Sequence, residues 1–350
     1  MFLCILWLLL DEVAAFLQWA NFTRATASLA SKLPLYINMD ETSLAYNYGR
    51  GKGFMVSKRA LPSGKAYRKE ALSSSDAKAR ISFLGFVTHD PAVQPQLPQI
   101  LIGNERRFTK KLLKELAAHT PPGYYLWREK SSWNTHALMR KAICILAKHL
   151  KDYVATHQLI LVLDVAGCHL HHTICSLAKQ KGILLLYIPG KLTWLLQPAD
   201  THVFCRLKRR LRQLWLDLAV RSASGEVSHA EWLAEVFKLV KKLFNGIPWR
   251  SAFESNGLLD NSTIGTRILT ELGSAQPNLL PSSIPSAEQL KVVLPQRSKM
   301  SHATMFNWAL AKAKPKAKPK AKAAFPAAKP LSSGPISSGT RAKKKALVID

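Results

Sequence analysis

The chain has 350 residues, 47% of them hydrophobic, with 50 Lys and Arg against 22 Asp and Glu and a formal charge of +28. That is enough apolar material for one large domain with additions, and an odd set of five cysteines in so long a chain argues against a disulfide framework and for a reducing compartment. The charge asks for a polyanionic partner, nucleic acid before an anionic membrane surface, because a polycation releases the counterions condensed on nucleic acid.

The opening run MFLCILWLLLDEVAAFLQWA has nine apolar residues after Met1. No basic stretch precedes them, Asp11 and Glu12 follow at once, and the run is too short to span a bilayer. Residues 1–33 are therefore expected as a helical segment packed on the domain, or as the stump of a longer chain; a signal peptide is the alternative. A strand follows at Leu35–Met39. Further strand signals lie at Tyr46–Val56, at Arg80–Thr88 and at 98–103, with a Ser-rich loop among them.

Then the period changes. FTKKLLKELAAH (108–119) reads as a helix stopped by Pro121-Pro122-Gly123, and Trp133–His149 as a second helix. A buried strand at 159–163, a helix at 170–181 and a strand at 183–188 follow, with Gly182 turning the chain. A long helix over about 201–220 starts after Pro198, and another amphipathic helix covers Glu226–Phe244. Close early strands imply an antiparallel meander, and late strands joined by helices imply parallel pairing. The expected fold class is α/β: a mixed sheet flanked by helices over residues 34–250. Residues 251–305 read as helical or linker. From Lys312 to Lys345 there are ten Lys and one Arg with no acid, so residues 306–350 are expected as a disordered Lys/Ala/Pro-rich tail. The remainder stays strongly basic without it.

Three aspartates share one context. Asp40 ends LYINMD, Asp164 ends LILVLD, and Asp200 closes IPGKLTWLLQPAD just before the long helix. A half-buried carboxylate is costly unless a cation accompanies it. Carboxylates converging at one sheet edge raise one another's pKa unless metal neutralises them. Hard oxygen ligands select Mg²⁺ or Mn²⁺, and two such ions can activate water and stabilise the leaving oxygen of a phosphodiester. Taken singly, each aspartate is more readily a helix cap or turn former than a metal ligand.

INMDETSL, LVLDVAGCHL and IPGKLTWLLQPAD followed by VFCRLKRRLR resemble the DDE superfamily endonuclease domain of mariner/pogo-like transposases of the Tigger and Jerky type. LPQILIGN and SSWNTHALMRKAI are similar to intermediate segments of that domain. The resemblance covers roughly residues 34 to 215. It implies a ribonuclease H-like fold, two Mg²⁺ or Mn²⁺ ions held by Asp40, Asp164 and Asp200, and cleavage with strand transfer of DNA. Val165 stands where the family often has Asn, and Ala199 where it usually has Leu; neither side chain would supply a metal oxygen. Such transposases carry helix-turn-helix domains ahead of the core, which about 33 residues here do not accommodate. His169 matches a family histidine, placed either near the phosphate and metal water or as a packed histidine. With Gln197 it is an accessory candidate.

Some readings stay open beside this. Glu41 would point away from Asp40 on a strand, so Asp40 is preferred as ligand without excluding Glu41. Asp217 is a rival third acid, though deep in the long helix. Cys168, His171 or His172, and Cys175 would share a helix face, but their spacing fits no standard zinc module. On the helix after Asp200, Arg206, Lys208, Arg209, Arg210 and Arg212 are expected either on DNA phosphates or as a solvated face. The expected protein is nuclear, acts on DNA rather than a small molecule or membrane, and leaves homodimerisation open. The alternatives are a domesticated protein that binds DNA or chromatin without cutting it, and a secreted or membrane-tethered basic protein.

Overall fold

The computed structural model describes residues 2–45, 80–222 and 227–259. The strand signal at Tyr46–Val56, the Ser-rich loop after it, residues 260–305 of the helical or linker region and the basic tail lie outside the described residues.

Six strands form one sheet: β1 (Leu33–Ala45), β2 (Arg80–Thr88), β3 (Gln99–Asn104), β4 (Tyr124–Glu129), β5 (His157–Leu163) and β6 (Leu184–Tyr187). Their order across the sheet is β4-β3-β2-β1-β5-β6. β1, β2 and β3 pair antiparallel, while β5 lies parallel to β1 and β6 parallel to β5. This is the mixed, helix-flanked α/β sheet expected from the sequence, with β4 added parallel to β3 on the far edge.

β1 is longer than the apolar run LPLYIN implies. It continues five residues past Asp40 because β2 pairs with it as far as Ala45–Arg80. Asp40 therefore sits inside a strand, not at its end. β4 was not anticipated: of YYLWRE only Trp127 is buried, so the segment carries no clear alternation.

The helices are α1 (Phe2–Leu29), α2 (Lys110–Ala117), α3 (His136–His149), α4 (His172–Gln180), the single turn α5 (Thr193–Leu196), α6 (Phe204–Arg221), α7 (His229–Gly246) and the short α8 (Arg250–Ser255). Thr109, Thr135 and Ser228 cap α2, α3 and α7 with side-chain oxygens that accept N–H bonds two or three residues into the helix, removing one orphan donor each. A π-helical turn, Ala199–Val203, leads into α6.

From Val13 onward α1 is part of the core: Val13, Phe16, Leu17, Trp19 and Ala20 are buried. The buried Tyr36 hydroxyl of β1 donates to the Ala20 carbonyl (3.1 Å), and the Thr23 hydroxyl stands 3.1 Å from it. Among the described residues no helix is long and apolar enough to cross a membrane. Under the β1–β3 half of the sheet an aromatic core gathers. Phe83 meets Phe244 edge-on at 5.6 Å, and Trp215 meets Trp232 at 5.1 Å. Gly85, paired opposite Asp40, makes room for it: a Cβ there would stand 3.2 Å from the Phe204 ring at the start of α6.

Candidate active site

The parallel register of β1 and β5 runs to Asn38–Val162. Continued by two residues, it sets Asp40 beside Asp164, on neighbouring strands about 4.8 Å apart. The third segment is tied to the same place by Asn38. Its side chain, fully buried, donates from Nδ2 to the Val162 carbonyl (3.1 Å) and accepts the Ala199 N–H on Oδ1 (2.8 Å). One amide thus joins the residue two before Asp40, the residue two before Asp164 and the residue just before Asp200. The sequence reading missed Asn38, although a polar residue inside the apolar run LPLYINM was the available signal: an amide is buried there only when its hydrogen bonds are met.

The acids differ in environment. Asp40 is 8% exposed, Asp164 is half-buried and Asp200 is exposed. Burial pushes the Asp40 carboxyl well above its ordinary range, and the charges of Asp200 and Asp164 push it further; the Glu41 N–H (2.7 Å) and His169 act against this.

Asp164 has a different companion. Its Oδ1 lies 2.5 Å from Nδ1 of His169, a residue only 2% exposed, and accepts the Ala166 N–H at 3.3 Å. Burial opposes the charge on both groups, but the mutual bond outweighs it: Asp164 is held below the usual carboxylate range and His169 is raised to about 10. The His169 backbone is fixed in turn by the Tyr187 hydroxyl, which donates to its carbonyl at 3.0 Å. His169 therefore braces Asp164 rather than standing apart from it.

Glu41 accepts the Ser82 hydroxyl at 2.5 Å and a backbone N–H from Asn134, and it feels both His169 and Asp164. It stands at the margin of the cluster, and the SSWN loop rests on it. Trp133 in that loop is 74% exposed, and Trp194, on the turn before Asp200, is 62% exposed. Gln197 is fully buried, and neither of its amide atoms has a hydrogen-bond partner; His169 Nε2 is likewise buried and unpartnered.

Other candidates disperse. Asp217 takes the Gln213 amide on the exposed side of α6 (2.9 Å). Cys175 stands 3.4 Å from the Tyr187 hydroxyl, while His171 caps α4 and stacks on His136 at 4.6 Å. Arg209, Arg210 and Arg212 are exposed on α6, Lys208 is half-buried, and Arg206 lies over the Trp249 ring at 5.8 Å. Val203, Leu207, Leu211 and Leu218 form the buried face, joined by Trp215, with Leu214 only partly covered. Among the described residues no three His, Cys, Asp or Glu side chains stand close enough to share one metal ion. A divalent cation nonetheless suits the chemistry of the site. Asp40 is a buried acid pressed by two others, with His169 the one cation among the described groups that act on it, and orphaned polar atoms of His169 and Gln197 occur in the same segments.

No curated protein matches the chain. Solved structures similar to it include the Mos1 transposase paired-end complex with left transposon end (13% identity, 71% of this chain and 62% of that one, TM-score 0.35). The Mos1 mariner paired end complex with Mn is similar to a like degree (12% identity, 71% and 62%, TM-score 0.36). The chain spans about three fifths of the Mos1 chains. Residues 94–251 match the family model of the DDE superfamily endonuclease, a stretch that contains Asp164 and Asp200 and begins after Asp40. Over those residues the chain is similar to the DDE superfamily endonuclease domain.

Proposed function

We propose that this domain cleaves DNA phosphodiesters with divalent metal, and that Asp40, Asp164 and Asp200 hold the metal. The observation that carries this reading is Asp40: a buried carboxyl inside β1 that bears the charge of both other acids, with burial the largest influence on it. Bound Mg²⁺ or Mn²⁺ would supply an activated water and charge stabilisation at the scissile phosphate. The residues of this chain do the rest. Asn38 sets the spacing of the three acid-bearing segments. His169 keeps Asp164 ionised and oriented. Gln197, buried beside the third acid's segment, is an accessory. Arg206, Lys208, Arg209, Arg210 and Arg212 hold the DNA backbone, as the strongly positive charge of the chain favours.

A second reading has its own observation. Asp164 already has a cation, the His169 imidazolium, on one oxygen. A domain that keeps that pair closed binds DNA or chromatin without cutting. Nicking of supercoiled plasmid with Mg²⁺ or Mn²⁺ separates the two. The nuclease reading expects nicking that Asp164→Asn abolishes. Equal nicking by both proteins, or DNA binding with no nicking by either, rejects it.

A further inference from the structure

A second charged feature lies on the same edge of the sheet, and no sequence motif marked it. The chain leaves β3 at Asn104 and turns through residues 105–109 into α2. The turn is rigid: the Asn104 side chain accepts the Arg106 N–H at 2.9 Å, and Arg128 of β4 donates to the carbonyls of Phe108 and Glu105. Phe108 is fully buried against Gly103, where any side chain would overlap its ring. The turn therefore holds Arg106 and Arg107 at a fixed place rather than on a loose loop.

Opposite stands the N-terminus of α7. Between the two helices lies a groove of about 500 Å³ lined by Arg106, Arg107, Lys111 and His229, with the capping residues Thr109 and Ser228 at its ends. Among the described residues Glu115 is the one acid on its wall. Three permanent cations against one acid, at the positive ends of two helices, make the groove a site for anionic oxygen. It is open and carries charged side chains on its wall, which suits a chain of phosphates better than an enclosed small molecule.

Its position indicates which phosphates. β1, β3, β4, β5 and β6 all end on this edge, since β3 and β4 run parallel to each other and β3 is antiparallel to β2, itself antiparallel to β1. From the level of Asp40 the groove lies two strands across and about five residues further along. Strand dimensions make that on the order of 20 Å, a little over half a turn of B-form DNA, whose full turn is about 34 Å.

We infer that this groove is a second DNA contact, binding the phosphodiester backbone about half a helical turn from the acid cluster. The inference rests on DNA being the partner, as proposed above. It adds that Arg106 and Lys111 neutralise phosphates that are not the scissile one.

The test uses the full chain carrying Asp164→Asn, so that binding is read without cutting. Affinity for a 30-base-pair duplex is measured by fluorescence anisotropy across a KCl series, with and without Arg106→Gln plus Lys111→Gln. Each lost phosphate contact lowers the slope of log K against log salt by about 0.9. The paired substitution is expected to flatten the slope by roughly 2 and to weaken binding several-fold at low salt. Lys179→Gln with Lys181→Gln, where α4 leads into the start of β6 at the opposite edge of the sheet, controls for net charge and is expected to change the slope less. An unchanged slope in the groove variant, or one changed no more than in the control, overturns the inference. So does a groove that is stabilised thermally by inorganic phosphate while its neutralisation leaves DNA binding intact. The nuclease reading fails separately, in the plasmid assay with the groove intact.

Discussion

The acid-bearing junction of β1 and β5 and the aromatic layer beneath β1–β3 lie in one sheet and obey opposite rules. In the aromatic layer Phe83, Phe244, Trp215 and Trp232 meet edge-on and are nearly fully buried. Their burial and ring geometry favour the folded state. At the junction a carboxyl is buried beside two more, an amide is spent joining three backbones, and a glutamine and a histidine nitrogen are buried without partners. Such features cost stability unless a ligand offsets them. The difference teaches where function resides: in the part of the fold that keeps a buried acid and unpartnered polar atoms at a cost to stability.

The largest effect should come from the stable side. Phe244→Ala is expected to cost about 3–5 kcal/mol in urea unfolding, with nicking per folded molecule unchanged. His169→Ala should cost about 3 kcal/mol by leaving Asp164 without its partner. That loss depends on pH at both ends. The raised imidazole contributes fully below its unfolded pKa of about 6.5, and its contribution disappears as pH climbs through its folded value of about 10. The depressed carboxyl contributes above its ordinary 3.8, and its contribution disappears as pH drops through its lower folded value. Unfolding of wild type and variant at pH 3, 6 and 10.5 should therefore show the greatest difference at pH 6.

Asn38→Leu comes next, at about 2 kcal/mol, because the Ala199 N–H loses its acceptor. Here stability and function should fall together, with nicking reduced more than melting alone explains. The smallest effect has the opposite sign. Asp40→Asn should stabilise the metal-free protein by about 1 kcal/mol while abolishing nicking. Burial raises this carboxyl, so the folded state keeps a proton that the unfolded chain releases. Its contribution therefore declines as pH rises from 3.8 through the folded value, and the Asn variant should lack that part of the pH slope. A destabilised Asp40→Asn protein would erase the contrast between the two regions.

Much of the fold was legible because it is written in local patterns. LILVL and ILLLY are short apolar runs bounded by turns, and the capped helices α2, α3 and α7 repeat their apolar residues at helical spacing. β4 escaped because it is an edge strand with one buried residue. Asp40 was set at a strand end because the apolar run stops there, although pairing with β2 carries the strand onward. Asp164 and Asp200 stood out by context, but what joins them did not. Asn38 works through Val162 and Ala199, more than 120 residues away in the chain. The groove unites residues 106–111 with 228–230, and only the packed fold brings those together.

The central claim is that the three carboxylates hold metal. Anomalous diffraction from crystals of the full chain soaked in Mn²⁺ tests it most directly. The account predicts an anomalous peak bonded to Asp40 and at least one of Asp164 and Asp200. Manganese bound elsewhere, with that position empty and Asp164 still closed on His169, would contradict it.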